Sequence, residues 1–178
     1  MGDPGASASS SRFEHRSVAA GPLPRDCTAG IVVARFNGAI TGPLFAGAVD
    51  ALLDAGIEPG RIAAVEVPGC IEVPLAAQAL ARRESCELVV ALGCVIRGES
   101  AHFDYVCSFV TDGCRQVMLG EHVPLGFGIL TCDDAAQAQA RASSEPGGRN
   151  VGRDAAEAAV AMRDMLSGPR QGGGIGFA

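Results

Sequence analysis

The sequence predicts an α/β fold, a three-layer αβα sandwich with a four-stranded parallel sheet at its centre. Two observations lead to this fold class. Short β-branched runs alternate with longer segments of helical periodicity along most of the chain. The short runs are also apolar almost throughout, which is typical of parallel strands covered by helices on both faces. Right-handed crossovers then place the turns that follow the strands at one edge of the sheet.

The predicted elements follow one another in order, and a Ser/Gly/Pro-rich loop at residues 143–150 separates the last two helices. Thr41 and Asp133 are small polar residues in position to cap helices, and Gly56 and Gly120 are in position to end them. Predicted strands cover residues 29–34, 61–67, 88–96 and 124–130, and predicted helices cover residues 41–55, 74–83, 103–119, 133–142 and 154–166.

These elements form one predicted domain at residues 27–166, because 178 residues with 48% apolar content suffice for a single core. Residues 1–26 are rich in Ser, Ala, Gly and Pro and are predicted to be a flexible N-terminal arm. Residues 167–178 are predicted to be a flexible, Gly-rich tail.

The charge pattern argues against two classes of partner. The formal net charge is -6 and the chain contains no Lys, so it lacks the basic field that nucleic acid or an anionic membrane surface requires. No apolar run reaches the ~18 residues of a membrane span, and the N-terminus lacks the apolar region of a signal peptide. We therefore expect a cytoplasmic enzyme or binding protein of small molecules.

The seven cysteines are odd in number, form no C-x-x-C pair and lie mostly in apolar segments. This pattern predicts free thiols in a reducing compartment. With only three His residues and no paired Cys/His spacing, we predict no metal site. Cys94 is an unfavourable candidate nucleophile, because apolar surroundings raise the pKa of a thiol and leave it inert.

The turn after the third strand is the strongest candidate for a site. The apolar run from residue 88 stops at Arg97-Gly98-Glu99-Ser100, and His102 follows at a predicted helix start. A helix N-terminus at the carboxyl end of a parallel sheet is suited to bind a phosphate, and a His there can pass a proton. The alternatives are that Ser100 only caps the helix and that His102 is an ordinary surface residue.

Three further residues follow the other strands. Phe36 ends the first strand and can stack on a heterocycle, or it can belong to the core. Glu72 is a carboxylate among apolar residues, so we expect it to be buried and to need a polar partner, which a ligand hydroxyl would supply. Arg141 ends a short helix, where it can bind an anion or remain solvated.

Four linked motifs in this order resemble the 6,7-dimethyl-8-ribityllumazine synthase family. The motifs are RFN at 35–37, VPGCIEVP at 67–74, LGCVIRGESAHFD at 92–104 and FGILT at 127–131. The resemblance runs from about residue 29 to residue 166 and implies a flavodoxin-like sandwich. It also implies an enzyme that condenses 5-amino-6-(ribitylamino)uracil with 3,4-dihydroxy-2-butanone 4-phosphate, without a cofactor, and releases phosphate and water.

The resemblance also assigns roles to residues. Phe36 would stack on the pyrimidine ring, Val95 and Ile96 would meet the ring edge, and Phe127 would come from a neighbouring subunit. Cys94 would be a further substrate-binding residue. His102 would shuttle protons. The ribityl chain would be bound by Cys70, Ile71 and Glu72. The phosphate would be bound by Gly98, Glu99, Ser100 and Arg141.

Two features depart from the family pattern. Val151 occupies the position where many relatives have a Lys or His, with Arg149 and Arg153 nearby. The loop before it is about two residues longer than in relatives that form sixty-subunit shells, and it contains Pro146. We therefore expect a homopentamer, with a decamer or a shell as alternatives. The competing functions are a non-catalytic flavin- or lumazine-binding module and a purely structural assembly protein on the same scaffold.

Overall fold

The predicted strands form one parallel sheet in the computed structural model, which describes residues 26–145 and 147–167. The strands are β1 (Ala29–Ala34), β2 (Ile62–Val67), β3 (Leu88–Ile96) and β4 (Leu125–Cys132), in the order β2-β1-β3-β4. All three pairings are parallel, and β1 is paired on both sides. The flanking sequences predicted as an N-terminal arm and a C-terminal tail lie almost entirely outside the described residues, as does Pro146.

Helices cover both faces of the sheet, which confirms the predicted three-layer sandwich. The helices are α1 (Gly38–Asp54), α2 (Val73–Arg83), α3 (His102–Gly120), α4 (Ala135–Gln139) and α5 (Val151–Ser167), with a 3₁₀ turn at Pro59–Arg61. The layer of α1 and α5 encloses one apolar cluster with Ile31, Val90 and Leu92. The layer of α2 and α3 encloses a second cluster, which contains Val32 and Val89. Alternate residues of the buried strands thus supply both cores.

Two of the predicted helix caps are wrong. Helix α1 begins at Gly38 with Asn37 as its N-cap, and Thr41 is buried in the first turn. Asn37 has φ 60°, a left-handed conformation that turns the chain from strand to helix within three residues. At α4 the cap is Asp134, whose carboxylate accepts from the Gln137 N–H at 2.8 Å, and not Asp133.

Other boundaries differ for local reasons. β2 starts at Ile62 because the preceding residues form the 3₁₀ turn. β4 extends to Cys132, since that residue pairs with Ile96 of β3. Helix α5 begins at Val151, three residues before the predicted start, because the Asn150 side chain accepts from the Arg153 N–H. No helix within the described ranges is both long and apolar enough to cross a membrane.

The strand order positions the ligand crevice. From β1 the chain crosses to β2 on one side, and it then returns to β3 on the other side. The turns after β1 and β3 therefore lead to helices on opposite faces, α1 on one and α3 on the other. This divergence opens a crevice at the carboxyl ends of β1 and β3, where open α/β sheets bind ligands.

Candidate active site

A cavity of about 390 Å³ lies at the carboxyl ends of β1 and β3. It is the position that the strand order predicts for a ligand. Most of the residues proposed for the pyrimidine side of the site meet here, together with the candidate proton shuttle. The lining residues are Phe36, Asn37, Gly69, Cys70, Ile71, Cys94, Val95, Ile96, His102 and Val106.

Phe36 forms an open aromatic wall of this cavity. Its side chain is 74% exposed, so the interpretation as a core Phe is wrong. The turn that carries it is held to the neighbouring turn, because the Arg35 N–H donates to the Val67 carbonyl at 2.8 Å and the Phe36 N–H donates to the Pro68 carbonyl at 3.4 Å. Because hydrogen bonds hold its backbone and its ring is exposed, Phe36 is able to stack on a planar heterocycle.

Asn37 fixes the direction in which Phe36 leaves the strand. Its backbone is left-handed, and its side-chain Nδ2 donates to the Cys94 carbonyl of β3 at 2.9 Å. Its carbonyl accepts from the Ile40 and Thr41 N–H groups and begins α1. The sequence interpretation gave Asn37 no role of its own, although Asn is the residue type other than Gly that most readily adopts this conformation.

Glu72 lies beside the cavity and is exposed. The prediction that this carboxylate is buried among its apolar sequence neighbours is therefore wrong. Its Oε2 accepts from the Gly69 N–H at 3.0 Å, which closes the turn between β2 and α2. Because one oxygen is engaged by the backbone, the carboxylate is held in place and still has capacity to accept bonds from ligand hydroxyls. Ile71, the neighbour that does line the cavity, is also partly exposed.

The floor of the cavity contains two neutral thiols. Burial raises the pKa of Cys70 to about 11 and that of Cys94 to about 12, so neither is a thiolate near neutral pH. The raised thiol pKa that the apolar surroundings predicted for Cys94 is confirmed. Gly93 makes this floor possible, because a Cβ there would lie 2.6 Å from Cys70 Sγ. All seven cysteines are free.

The turn after β3 leads directly into α3, with His102 as the first residue of the helix. The His102 N–H donates to Ser100 Oγ at 3.4 Å, while Ala101 occupies the N-cap position. Gly98, Glu99 and Ser100 are exposed, and a Cβ at Gly98 would meet no atom within 4 Å. The helix start therefore presents backbone donors and a hydroxyl to open space beside His102, as an anion site requires.

Arg141 and Phe127 lie outside the cavity lining. The Arg141 guanidinium donates to the Gln137 carbonyl at 2.8 Å, and its charge lowers the pKa of Cys132 against the larger, opposite effect of burial. Arg141 thus lies near the carboxyl end of β4. Phe127 pairs with Ala91, several residues back along the sheet from Cys94, and is 40% exposed at the edge strand.

The two arginines that flank Val151 are engaged elsewhere. Arg149 Nε lies 3.5 Å from Asp154 Oδ2, and Arg153 pairs with Asp54 and Glu157. Val151 itself is half-buried at the start of α5. Within the described ranges, no group of three or more His, Cys, Asp or Glu residues is arranged to hold a metal ion.

Comparison with known proteins agrees with this geometry. A model of the 6,7-dimethyl-8-ribityllumazine synthase family matches residues 26–167. Proteins of that name are similar to this chain: one from Salinibacter ruber is 48% identical over 136 residues, which cover 76% of this chain and 86% of that protein. One from Coxiella burnetii is 47% identical over 136 residues, covering 76% and 89%. One from Porphyromonas gingivalis is 40% identical over 155 residues, covering 87% and 93%. The chain belongs to the 6,7-dimethyl-8-ribityllumazine synthase family.

Proposed function

We propose that this chain carries out the reaction of its family. It condenses 5-amino-6-(ribitylamino)uracil with 3,4-dihydroxy-2-butanone 4-phosphate to form 6,7-dimethyl-8-ribityllumazine, and it releases inorganic phosphate and water. The observation that carries the proposal is the cavity between β1 and β3, where an exposed aromatic ring, a neutral apolar floor and His102 meet next to a helix N-terminus. The substrates are small molecules that fit a cavity of this size.

The pyrimidine substrate occupies the side of the cavity nearest β1. Its ring stacks on Phe36, and its edge meets the backbone and side chains of Cys94, Val95 and Ile96. The ribityl chain extends towards Cys70, Ile71 and Glu72, where the fixed carboxylate accepts hydroxyl groups. The neutral Cys70 thiol adds no charge to this contact, since burial holds its pKa at about 11.

The phosphate of the second substrate lies at the start of α3. Gly98, Glu99 and Ser100 supply backbone donors and the Ser100 hydroxyl, and the helix dipole favours the negative charge. Arg141 supplies the cation from the carboxyl end of β4, the same edge of the sheet. This arrangement binds the leaving phosphate before the reaction and stabilises it as it departs.

His102 lies between the two substrate positions and transfers protons. The amine of the pyrimidine attacks the ketone and forms an imine with loss of one water. Elimination of phosphate follows, and the ribitylamino nitrogen then attacks the remaining carbonyl and closes the ring with loss of a second water. Each step moves a proton between atoms near the imidazole. Because these steps are feasible between an amine and a reactive ketone, holding the two substrates in register supplies most of the acceleration. His102 adds the ordinary contribution of a general acid and base.

The direct test is to mix the two substrates with the protein and to follow both lumazine fluorescence and phosphate release. We expect both products to form in equal amounts above the uncatalysed rate. Binding of a ribityl heterocycle without phosphate release would favour the non-catalytic binding module. Absence of both binding and product would leave the structural assembly protein.

We also propose that the protein is a homopentamer with its sites at subunit interfaces. Phe127 supports this proposal, because it is exposed on an edge strand and does not line the cavity of its own chain. A neighbouring chain would bring it there. Light scattering should give five times the mass of the 18.1 kDa chain. A mass near a megadalton would instead indicate a sixty-subunit shell.

A cytoplasmic location fits the seven free thiols, six of which are buried. Fractionation of the producing cells tests this placement, and recovery of the protein outside the cytoplasm would contradict it.

A further inference from the structure

Arg97 directly follows β3, and its side chain is held by three groups. Its Nε lies 3.0 Å from Asp133 Oδ1, and its Nη1 lies 3.3 Å from Asp104 Oδ1. The guanidinium carbon lies 4.1 Å from the centre of the Phe103 ring. The backbone is fixed as well, because the Arg97 N–H donates to the Cys132 carbonyl at 2.9 Å. One planar cation therefore joins the end of β3 to the first turn of α3 and to the turn after β4.

The link continues from Asp133 to the cation of the proposed phosphate site. The Asp133 N–H donates to Gln137 Oε1 at 3.3 Å, and the Gln137 carbonyl accepts from Arg141 Nη1 at 2.8 Å. Gln137 is itself fixed, since its N–H donates to Asp134. The turn that carries Gly98 to Ser100 and the helix that carries Arg141 are thereby connected through Arg97.

The charges at this edge need compensation. Asp104 lies in the first turn of α3, and Asp133 directly follows β4, so two carboxylates flank the place where the phosphate would bind. Like charges within a Debye length of about 8–10 Å repel a dianion. Arg97 pairs with both carboxylates, and the hydrogen bond with Asp133 is the largest cause that raises the pKa of Arg97. The upward shift keeps Arg97 charged near neutral pH.

We propose that Arg97 is a positioning residue that neutralises Asp104 and Asp133 beside the phosphate and does not itself bind the phosphate. This inference rests on the proposed function, because the anion is the phosphate of the ketone substrate. Two of its N–H donors are directed to the two carboxylates and its plane lies over the Phe103 ring, so these three contacts fix the orientation of the guanidinium. Since both ion pairs are solvent-exposed, their role is in the field at the phosphate and not in the stability of the fold.

The first test is Arg97→Gln. We expect the KM for the phosphorylated ketone to rise on the order of tenfold, because two carboxylates are left uncompensated beside a dianion. The KM for the pyrimidine and the kcat should change by less than about threefold, since a removed surface charge acts mainly on binding of the anion. Calorimetric titration with inorganic phosphate should show the same loss of affinity. Unchanged affinity for phosphate would overturn the proposal.

The decisive variant is Arg97→Gln combined with Asp104→Asn and Asp133→Asn. Removal of both carboxylates should restore most of the phosphate affinity that Arg97→Gln loses. If the triple variant binds phosphate as weakly as the single variant, Arg97 is a direct phosphate ligand and the proposal is wrong. Arg115→Gln is the matched control, because Arg115 makes an exposed pair with Asp112 further along α3. Light scattering of every variant checks that the assembly is unchanged.

Different results would contradict the proposed function and the proposed role of Arg97. If the wild-type protein forms no lumazine from the two substrates, the proposed function is wrong. Phosphate titration needs no turnover, so it tests Arg97 even in that case. A wild-type protein that turns over, but whose phosphate affinity is insensitive to Arg97→Gln, contradicts only the inference about Arg97.

Discussion

The side-chain amide of Asn37 donates to the Cys94 carbonyl at 2.9 Å and so joins the turn after β1 to the end of β3. The residues at the ends of these two strands form opposite walls of the cavity. The same residue is left-handed and starts α1. Asn37 therefore links the two strands at the crevice and redirects the chain directly after Phe36.

Asn37→Gly and Asn37→Ala separate these two effects. Gly keeps the left-handed conformation but loses the hydrogen bond, so we expect a loss of about 1 kcal/mol in the free energy of unfolding and a higher KM for the pyrimidine. Ala also pays about 1–2 kcal/mol for its left-handed backbone. Urea unfolding and steady-state kinetics measure both quantities. An Ala variant as stable as the Gly variant would show that backbone conformation contributes nothing.

Gly93→Ala tests the packing of the cavity floor. The added Cβ would lie 2.6 Å from Cys70 Sγ and 3.1 Å from Ile129 Cδ1, and neither atom lies on a long, flexible side chain. Overpacking of this kind typically destabilises a core by about 1–3 kcal/mol. The double variant Gly93→Ala/Cys70→Ala should recover part of the loss in urea unfolding. Gly60→Ala is the control, since a Cβ there meets nothing within 4 Å. Equal stability of Gly93→Ala and wild type would refute the close approach.

His102→Ala tests the proton shuttle. We expect turnover to fall on the order of 10²-fold, as ordinary proton transfer by one side chain contributes, while the positioned substrates still react. Single-turnover fluorescence measures the rate, and pyrimidine titration checks that binding is retained. Complete loss of activity in a variant that folds and binds normally would mean that His102 does more than shuttle protons.

Alkaline pH should destabilise the fold through the buried thiols. Burial raises the pKa of Cys70 and Cys86 to about 11, and that of Cys94 and Cys114 to about 12, from a value of 9.0 in the unfolded chain. Above this unfolded value the unfolded chain binds fewer protons than the folded one. The stabilisation is therefore complete below about pH 9 and is lost as the pH rises through the folded values.

The measurement is the urea midpoint at pH 8 and at pH 10.5 with a reductant present. The midpoint should fall at the higher pH, and it should fall less in the variant Cys94→Ala/Cys114→Ala, which lacks two of the four thiols. A midpoint that rises with pH would contradict the direction of the shifts.

The sheet was predictable because each strand is an apolar run between turn residues, and β1 matches the prediction at both ends. The cavity was predictable because the motifs after β1, β2 and β3 must converge at one edge of a parallel sheet. The cap at Thr41 was wrong because a left-handed Asn37 starts the helix earlier than any propensity indicates. The prediction that Glu72 is buried was wrong, because the residues next to it in the sequence do not determine on which side of the turn its carboxylate lies.

Long-range side-chain networks were not predictable from the sequence. Arg97 is next to the phosphate turn in the chain, yet its partner Asp133 lies 36 residues away and becomes a neighbour only through the pairing of Ile96 with Cys132. The position of Arg141 depends likewise on where α4 ends. Residue spacing alone carries no information about either contact.

The strand order has a consequence for how ligands affect unfolding. The helix after β1 packs in one layer and the helix after β3 packs in the other, so the crevice is a seam between the two halves of the sandwich. A molecule that contacts both Phe36 and His102 connects the two helical layers across the crevice. We therefore expect a ligand that binds only the native state to raise the melting temperature.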